Sequence, residues 1–256
     1  MKKNIKKLFN LLGFEITRLY FPDDIKLLTF DEIYQLKVKN KKPIIFDVGA
    51  NKGQSIDRFL KINNNSLIHS FEPNIDEFNY LKKKYGSCDN IKLNNIAVGR
   101  EKTSKILNIT GHSGSSSFFN FKKDTRWIKL RSKQLGIKQE DYITKKIEVE
   151  VDTIDSYCEI NKIDHIDIMK VDTQLFEEEV LIGSKNMIKD QKIDAIELEI
   201  TFSSVYDKYF NFSDLEKYLI PNGYRFSAIR LNNNNIFTGS ISVSYTHLTL
   251  PTTPYV

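Results

Sequence analysis

This sequence has few cysteines, no long apolar run and no excess of one charge outside its first 42 residues. Each of these features excludes a class of protein. The 256 residues include two cysteines, Cys88 and Cys158, whose separation fits no metal-binding motif and predicts reduced thiols. No apolar run is long enough to cross a membrane. The net charge of +5 arises within residues 1–42, which hold ten Lys or Arg and five Asp or Glu. The balanced remainder does not indicate nucleic-acid binding.

The G-x-G-x-x-G fingerprint of dinucleotide-binding dehydrogenases is also missing. Residues 42–54 read KPIIFDVGANKGQ, which predicts a buried parallel strand, a tight turn and the start of a helix. What remains of the fingerprint is Asp-x-Gly-x-x-x-Gly, formed by Asp47, Gly49 and Gly53. Glycine permits the sharp turn, and the ligand of such a turn lies beyond the carboxyl ends of the strands. The alternative is a turn that binds nothing.

A second apolar segment, residues 67–72, ends in an acid at the spacing expected for nucleoside binding. Glu72 follows Gly53 by 19 residues, and an acid about 20 residues on is where ribose hydroxyls are bound. The two elements together predict an adenosine-type ligand. Asn95 would then face the adenine from a third strand at 91–98, because an amide both donates and accepts hydrogen bonds. An ordinary strand-end asparagine is the alternative.

The alternation of strands and helices is interrupted after the third strand. Residues 103–120 predict a hairpin with a hydroxyl-rich tip at 111–117, which includes His112 as an outside candidate for catalysis. Residues 129–142 predict a charged helix that could serve as a lid, and residues 147–151 alternate as a half-exposed strand. The predicted fold class is therefore α/β, with a doubly wound, mostly parallel Rossmann-like sheet, helices on both faces and a hairpin insertion after the third strand.

Two later strands bring acids to the same edge of the sheet. Residues 166–171 predict the fourth parallel strand, directly followed by Asp172, and residues 193–200 predict the fifth, with Glu199 near its end. Parallel strands share one carboxyl edge, so Asp172 is expected beside the first turn. Glu177 opens the next helix, where an acid suits the helix dipole.

These motifs together resemble the FkbM family of S-adenosylmethionine-dependent methyltransferases. The matching pieces are FDVGANKG (46–53), FEP (71–73), GSSS (114–117), VDTID (151–155) and MKVDTQ (169–174), followed by Glu177, Val180 to Gly183, Leu198, Glu199, Tyr206, Gly223 and Tyr224. The resemblance covers residues 43–237. It implies a doubly wound fold and S-adenosylmethionine as the cofactor. The implied reaction is O-methylation of a sugar hydroxyl in a glycan, polysaccharide precursor or related natural product.

The resemblance also implies roles for particular residues. The cofactor would contact Asp47, Gly49, Ala50, Asn51, Gly53, Glu72 and Asn95. Methyl transfer is an in-line displacement that requires alignment and exclusion of water, and a sugar hydroxyl is a poor nucleophile that needs a general base or a metal. Asp172 is the first candidate for the base, with Glu199 and Glu177 assisting. These carboxylates could instead hold Mg²⁺, although base chemistry without a metal is preferred.

Each acid has a structural alternative, helix capping or a salt bridge, which is strongest for Glu177. Two rival functions also stay open: a non-catalytic nucleotide-binding or scaffold domain of the same fold, and a nucleotide-sugar modifying enzyme.

One residue departs from the family pattern. Members usually carry glycine in an Asp-x-x-Gly-x-Glu turn where this chain has Leu175. Leucine in a left-handed conformation costs roughly 1–2 kcal/mol, so we expect the turn to have shifted to negative φ and the pocket to be reshaped. The alternative is a strained Leu175 at positive φ that lines a more apolar acceptor site.

The two ends are expected to lie outside the catalytic domain, which is assigned to residues 43–240 with a sixth strand at 224–229. Residues 1–42 predict a basic helical segment that either caps the domain or touches an anionic membrane surface weakly. The protein is expected in the cytoplasm, with the inner face of the membrane as the alternative. Residues 241–256 resemble translated sequencing-adapter sequence and predict a non-native tail, although residues 241–250 alternate like a strand.

Overall fold

The computed structural model describes residues 29–38, 42–111, 113–122, 125–201, 210–232 and 235–244. The strands in these ranges are β1 (Ile44–Val48), β2 (Leu67–Phe71), β3 (Ile91–Asn94), β4 (Ala97–Val98), β5 (Thr103–Thr110), β6 (Ile143–Asp152), β7 (Ile166–Val171), β8 (Ile193–Thr201), β9 (Arg225–Asn232) and β10 (Asn235–Ser244). The helices are α1 (Phe30–Val38), α2 (Gln54–Ile62), α3 (Ile75–Tyr85), α4 (Arg126–Leu135), α5 (Ile154–Asn161), α6 (Glu177–Gly183), α7 (Lys185–Lys189) and α8 (Phe212–Leu219).

Seven of these strands form the main sheet in the order β3-β2-β1-β7-β8-β10-β9. The first five are parallel, whereas β10 runs antiparallel to both of its neighbours. The order reverses direction at β1, so the carboxyl ends of β1 and β7 flank the switch point, where ligands bind in open α/β sheets. The predicted doubly wound, mostly parallel sheet is confirmed.

Alternate residues of the central strands face two separate cores. Phe46 and Val48 pack with side chains of α4 to α8 in one core, whereas Ile45 packs with α1, α2 and α3 in the other. Successive side chains of a strand point to opposite faces, so an unbroken apolar run is what a strand covered on both faces requires. The helices therefore cover both faces of the sheet, as predicted.

Short polar side chains fix where several helices begin. At α1, the Thr29 hydroxyl accepts from the backbone N–H of Glu32, and the Glu32 carboxylate accepts from the backbone N–H of Thr29 at 2.8 Å. Asn211 and Asp214 form the same reciprocal capping box at α8. Such caps satisfy N–H groups that have no partner inside the helix.

The predicted third strand, 91–98, is wrong in one respect: it forms two strands in different sheets. β3 pairs with β2 in the main sheet, and β4 pairs with β6 in a small sheet of order β4-β6-β5. The break lies at Asn95, whose Nδ2 group donates to the carbonyl oxygens of Glu72 at 2.8 Å and Pro73 at 3.2 Å. These bonds turn the chain away from the main sheet.

The predicted insertion is present but larger than a local hairpin. β5 and β6 pair antiparallel from Thr103 opposite Val151 to Thr110 opposite Ile143, and the intervening chain carries α4. Ser117 makes an isolated bridge with Asn108. β6 is half exposed, as its alternation predicts.

The predicted end of the domain at residue 240 falls inside β10, because residues 241–244 pair with both β8 and β9. The predicted sixth strand at 224–229 corresponds to β9. The basic segment before residue 29, His112, Tyr206 and residues 245–256 lie outside the described residues. No helix in the part of the chain that the structure describes is long and apolar enough to span a membrane.

Candidate functional site

The turn after β1 is shaped by a glycine that no other residue could replace without movement. Gly49 has φ +82°, and a Cβ there would lie 2.0 Å from the backbone oxygen of Asp172. The backbone N–H groups of Gly49 and Ala50 donate to the carbonyl oxygen of Phe71 at 3.0 and 3.1 Å. The turn is thus held between β2 and the residue that follows β7. Glycine is needed because the two backbones approach closely here.

Gly53 closes the same turn at the start of α2. Its φ is also +82°, and a Cβ would lie 2.6 Å from the ring of Tyr85. The Tyr85 hydroxyl donates to the carbonyl oxygen of Gly53 at 3.0 Å. The predicted close packing of the helix therefore involves α3 as well as the sheet.

Glu72 joins the first two strand ends. Its Oε2 accepts from the backbone N–H of Asn51 at 2.7 Å, and its Oε1 accepts from the backbone N–H of Asn74 at 2.9 Å. The side chain is 7% exposed, and burial raises the pKa of Glu72 to about 7 although the two N–H groups lower it. A carboxylate oxygen with one donor still has capacity to accept a hydroxyl.

A cleft runs along the carboxyl edge of β1, β2 and β7, with about 640 Å³ of empty space that includes its open mouth. Its lining falls into an apolar part, an acidic end and a hydroxyl-bearing rim: Val48, Gly49, Asn51, Phe71, Glu72, Pro73, Ile96, Ala97, Val98, Leu107, Gly114, Ser116, Phe118, Asp172, Thr173, Gln174 and Phe176. An apolar cleft with a few convergent polar groups is the usual form of a small-molecule site.

Asp172, Gln174 and Glu199 form a polar cluster at one end of this cleft. The Gln174 Nε2 group donates to Asp172 Oδ1 at 3.1 Å and to Glu199 Oε2 at 2.8 Å. Burial raises the pKa of Glu199 well above its usual value, and the charges of Asp172 and Glu177 raise it further. Burial also acts on Asp172, but the charge of Lys170 and hydrogen bonds from Gln174 and Glu199 lower its pKa on balance. The pKa values of the two acids are therefore shifted in opposite directions, which favours the protonated form of Glu199 and the ionised form of Asp172.

Glu177, the third predicted acid, lies behind the cluster and does not line the cleft. Its side chain is 1% exposed, and its Oε1 accepts from the backbone N–H of Thr173 at 2.8 Å and from the Thr173 hydroxyl at 3.1 Å. Burial raises the pKa of Glu177 to about 7. It closes the turn between β7 and α6, a structural role that differs from the capping given above as its alternative, because the N-cap residue Phe176 has no side-chain cap bond.

Lys170 is the residue of this site that sequence reasoning missed. Its Nζ lies 3.3 Å from Asp47 Oδ1 and 3.4 Å from Asp172 Oδ2, and it donates to the carbonyl oxygen of Gly49 at 3.2 Å. Burial lowers the pKa of Lys170, but the carboxylates of Asp172, Asp47 and Glu197 raise it on balance. A lysine within a buried central strand was the available signal, because lysine is rarely buried unless paired.

The charges continue across the sheet beyond Lys170. Asp47, Lys170 and Glu197 are register neighbours on β1, β7 and β8, so their side chains share one face of the sheet. Glu197 accepts two hydrogen bonds from Arg58 of α2, at 3.0 and 2.6 Å, and a third from the Tyr34 hydroxyl at 3.1 Å. We call Asp47, Lys170 and Glu197 the charge row.

Two predicted cofactor contacts lie away from the cleft surface. Asp47 is fully buried in the charge row, and burial raises its pKa more than the charge of Lys170 lowers it. The Asn95 amide supports the backbone of the Glu72–Pro73 turn, while its neighbours Ile96 and Ala97 line the cleft. A direct contact between Asn95 and adenine stays a prediction.

The preferred prediction for Leu175 is wrong. Its φ is +75°, next to Gln174 at +55°, so the turn keeps the left-handed backbone that suits glycine. The alternative prediction is correct about the strained backbone of Leu175 but wrong about its side chain. Leu175 is 3% exposed and packs in the main core instead of lining the cleft. Surrounding contacts must hold such a strained residue in place, and here the bonds of Gln174 and the core do so.

The described residues contain one trio of His, Cys, Asp or Glu side chains whose ligand atoms lie within 4.8 Å of one another: His165, Asp167 and Asp194. These residues lie where β7 and β8 begin, at the edge opposite the cleft. Asp167 accepts from the backbone N–H of Ile44 at 2.8 Å, and His165 Nε2 lies 3.2 Å from Asp194 Oδ1. The three predicted acids of the cleft do not form such a trio among the described residues.

The chain matches the family described as "Methyltransferase FkbM domain" over residues 47–226 and therefore belongs to that family. A similar curated protein is 2-O-methyltransferase NoeI of Sinorhizobium fredii (strain NBRC 101917 / NGR234), which is 23% identical over 146 residues, or 57% of this chain and 59% of that protein. The chain thus matches less than two thirds of that relative's length. The predicted membership of the FkbM methyltransferase family is confirmed.

Two solved structures are similar at low identity. The "METTL16 MTase domain (crystal form 2)" is 12% identical with a TM-score of 0.49, covering 94% of this chain and 77% of that one. Precorrin-6y C5,15-methyltransferase from Geobacter metallireducens GS-15 is 11% identical with a TM-score of 0.41, covering 87% and 91%. At such scores the fold assignment rests on the strand order and the family.

The chemistry of the cleft fits S-adenosylmethionine. Glu72 offers a carboxylate to ribose hydroxyls, and the apolar walls formed by Phe71, Ile96 and Val98 suit a base. The acidic end around Asp172 suits a cation. When bound, the cofactor supplies an electrophilic methyl group on a sulfonium.

Proposed function

We propose that this methyltransferase acts on a hydroxyl oxygen of a sugar in a glycan, polysaccharide precursor or related natural product. The observation that carries this proposal is the Asp172–Gln174–Glu199 cluster at the acidic end of the cleft. A hydroxyl must lose its proton during methyl transfer, and an ionised carboxylate within reach can accept that proton. Asp172 meets both requirements, because its side chain is 40% exposed and its pKa is lowered.

The neighbours of Asp172 give it a defined role. The raised pKa of Glu199 favours its protonated form beside Asp172, and Gln174 fixes both carboxyl groups with one amide. Asp172 is thereby oriented toward the cleft without competing for a proton with Glu199. In this mechanism Asp172 accepts the hydroxyl proton, while the apolar walls exclude water.

The rim opposite the cluster suits a polyhydroxylated acceptor. Gly114, Ser116 and Phe118 line the cleft there, and the Ser117 hydroxyl donates to the carbonyl oxygen of Gln174 at 2.7 Å. The insertion is therefore tied to the turn that carries the proposed base. Hydroxyl groups and an aromatic ring at one rim can contact the hydroxyl groups and the apolar faces of a sugar.

The similarity to NoeI, which is named a 2-O-methyltransferase, supports oxygen as the acceptor atom. The sugar is supported by the resemblance to the FkbM family and by the character of the rim.

A labelling experiment with a matched variant tests this function. Purified protein is incubated with S-adenosylmethionine carrying a labelled methyl group and with cell-surface polysaccharide intermediates, and the products are hydrolysed to monosaccharides. We expect label in an O-methyl sugar, and a fall of about 100-fold or more in the Asp172→Asn variant, because general-base catalysis contributes about 10²–10⁴-fold.

Asp190→Asn is the control, since Asp190 is an exposed partner of Lys192 and its loss should leave the rate unchanged. Label on nitrogen, or equal rates in both variants, would contradict the proposal.

A further inference from the structure

Lys170 is buried at a position where a lysine without charged or polar partners would be unstable. It lies in β7, where all six residues are buried, and it is 7% exposed. Burying a charge is costly unless partners compensate it. Three oxygen atoms surround Nζ at 3.2–3.4 Å: the carbonyl oxygen of Gly49, Asp47 Oδ1 and Asp172 Oδ2. One ammonium thus contacts the cofactor turn, the end of β1 and the proposed base.

We propose that Lys170 is a positioning residue for methyl transfer, one that holds the Asp172 carboxylate ionised and at a fixed place beside the Gly49 turn. The role of Asp172 as base rests on the function proposed above, whereas the contact between the two residues does not. Lys170 itself does not line the cleft, so it acts through Asp172 and Gly49.

The surrounding charges explain why Asp172 needs this ammonium. Burial disfavours ionisation of Asp172, whereas the charge of Lys170 and hydrogen bonds from Gln174 and Glu199 favour it. The charge of Asp172 in turn raises the pKa values of Glu199 on β8 and Glu177 at the start of α6, which both face it. Asp47 of β1 and Glu197 of β8 face Lys170 from the two neighbouring strands. Arg58 of α2 neutralises Glu197 through a bidentate pair.

Removal of Lys170 would therefore leave Asp172 among carboxyl groups. Burial would then raise the pKa of Asp172, and the base would carry a proton when the hydroxyl needs to lose one. Gly49 would also lose the donor to its carbonyl oxygen.

The test follows the titration of Asp172 directly. The ¹³Cγ signal of Asp172, assigned by its loss in Asp172→Asn, is titrated by NMR in the wild type, Lys170→Met and Lys170→Arg. We expect the midpoint to rise by at least about one pH unit in Lys170→Met, because an adjacent opposite charge lowers a carboxyl pKa by about 1–3 units. Lys170→Arg keeps the charge and should keep the midpoint low. Lys192→Met removes a surface lysine and should change nothing.

The second readout is calorimetric binding of S-adenosylhomocysteine, the demethylated cofactor. We expect about tenfold weaker binding in Lys170→Met through loss of the hydrogen bond to Gly49. If Lys170→Met does not fold because Asp47 is left unpaired, the double variant Lys170→Met/Asp47→Asn removes that charge and is titrated instead.

An unchanged Asp172 midpoint in a folded variant lacking Lys170 would overturn the proposal. A raised midpoint supports it whatever the acceptor is. Failure to label a sugar would contradict the proposed function alone, because neither readout requires an acceptor.

Discussion

The two ends of the cleft are held together by different kinds of contact. At the β1–β2 end, the contacts are made by backbone: Gly49 and Ala50 donate to Phe71, and Glu72 holds two backbone N–H groups. At the β7–β8 end, side chains hold one another, with Gln174 between two acids and Lys170 behind them. The first end lies within one βαβ unit, whereas the second is completed by Glu199 of β8 and by the contact of Lys170 with Asp47 of β1.

Because of this difference, the two ends should be sensitive to different kinds of substitution. A backbone-built turn fails when a side chain is added, because the backbone atoms cannot move aside. A side-chain cluster fails when one charge is removed, because the others are then buried without compensation. Lys170→Met, described above, tests the second case. The variants below concern the β1–β2 end and the turn after β7, from the largest expected effect to the smallest.

Gly49→Ala should be the most damaging change at the β1–β2 end. Its Cβ would lie 2.0 Å from the Asp172 carbonyl oxygen at φ +82°, so strain adds to overlap. We expect a loss of about 3 kcal/mol or more in the free energy of unfolding, measured by urea denaturation, and no detectable binding of S-adenosylhomocysteine.

Gly136→Ala is the matched control. Gly136 also has a positive φ, +67°, but no atom lies within 4 Å of the added Cβ. Gly136→Ala should lower the free energy of unfolding only by the cost of a positive φ for alanine, about 1–2 kcal/mol. Equal losses at the two glycines would show that the close approach to Asp172 contributes nothing.

Glu72→Gln should alter how stability depends on pH. Burial raises the pKa of Glu72 from 4.5 to about 7, so the folded state binds this proton more tightly than the unfolded state does. The stabilisation of the folded state by proton binding at Glu72 is therefore complete below pH 4.5 and is lost as the pH rises through about 7. A shift of this size corresponds to about 3 kcal/mol.

The variant should have a flatter profile between pH 5 and pH 8, by about that amount, in urea denaturation at each pH. Glu177 has a similar shift and remains in the variant, so some decline persists. Glu77→Gln, a change in the first turn of α3, controls for the loss of one charge. An unchanged slope in Glu72→Gln would contradict the burial of an ionisable Glu72.

The same contrast explains what the sequence could predict. Gly49, Gly53 and Glu72 lie within one βαβ unit, and their spacing alone indicated the turn and its ligand class. Lys170 was not singled out, because its partners Asp47 and Glu197 come from strands that are adjacent only in the folded sheet. Pairing across parallel strands depends on strand order and register, which a single apolar run does not specify.

The break in the third strand was missed for a similar reason. Asn95 and the residues that follow it continue an apolar pattern, so residues 91–98 resemble one strand. The side chain of Asn95 instead bonds to the backbone at Glu72 and Pro73, a tertiary contact that overrides local preference. The acids were placed at the correct edge, but their burial and hydrogen bonds decided that Asp172 lines the cleft and Glu177 does not.

The stability difference between two variants of Leu175 is the smallest expected effect. The positive φ of Leu175 costs stability, whereas its buried side chain contributes stability by filling the core. Leu175→Ala removes the packing and keeps most of the backbone strain, so it should lose about 2–5 kcal/mol. Leu175→Gly removes both the packing and the strain, so it should be more stable than Leu175→Ala by about 1 kcal/mol. In an ordinary helical or extended backbone the order would be reversed, because glycine loses more conformational freedom than alanine on folding. Urea denaturation of the two variants therefore reports the sign of φ at this residue. Alanine more stable than glycine would show that the turn has the negative φ that we first expected from the sequence. Because the side chain packs in the core, neither variant should change S-adenosylhomocysteine affinity by more than about threefold, provided that the variant remains folded.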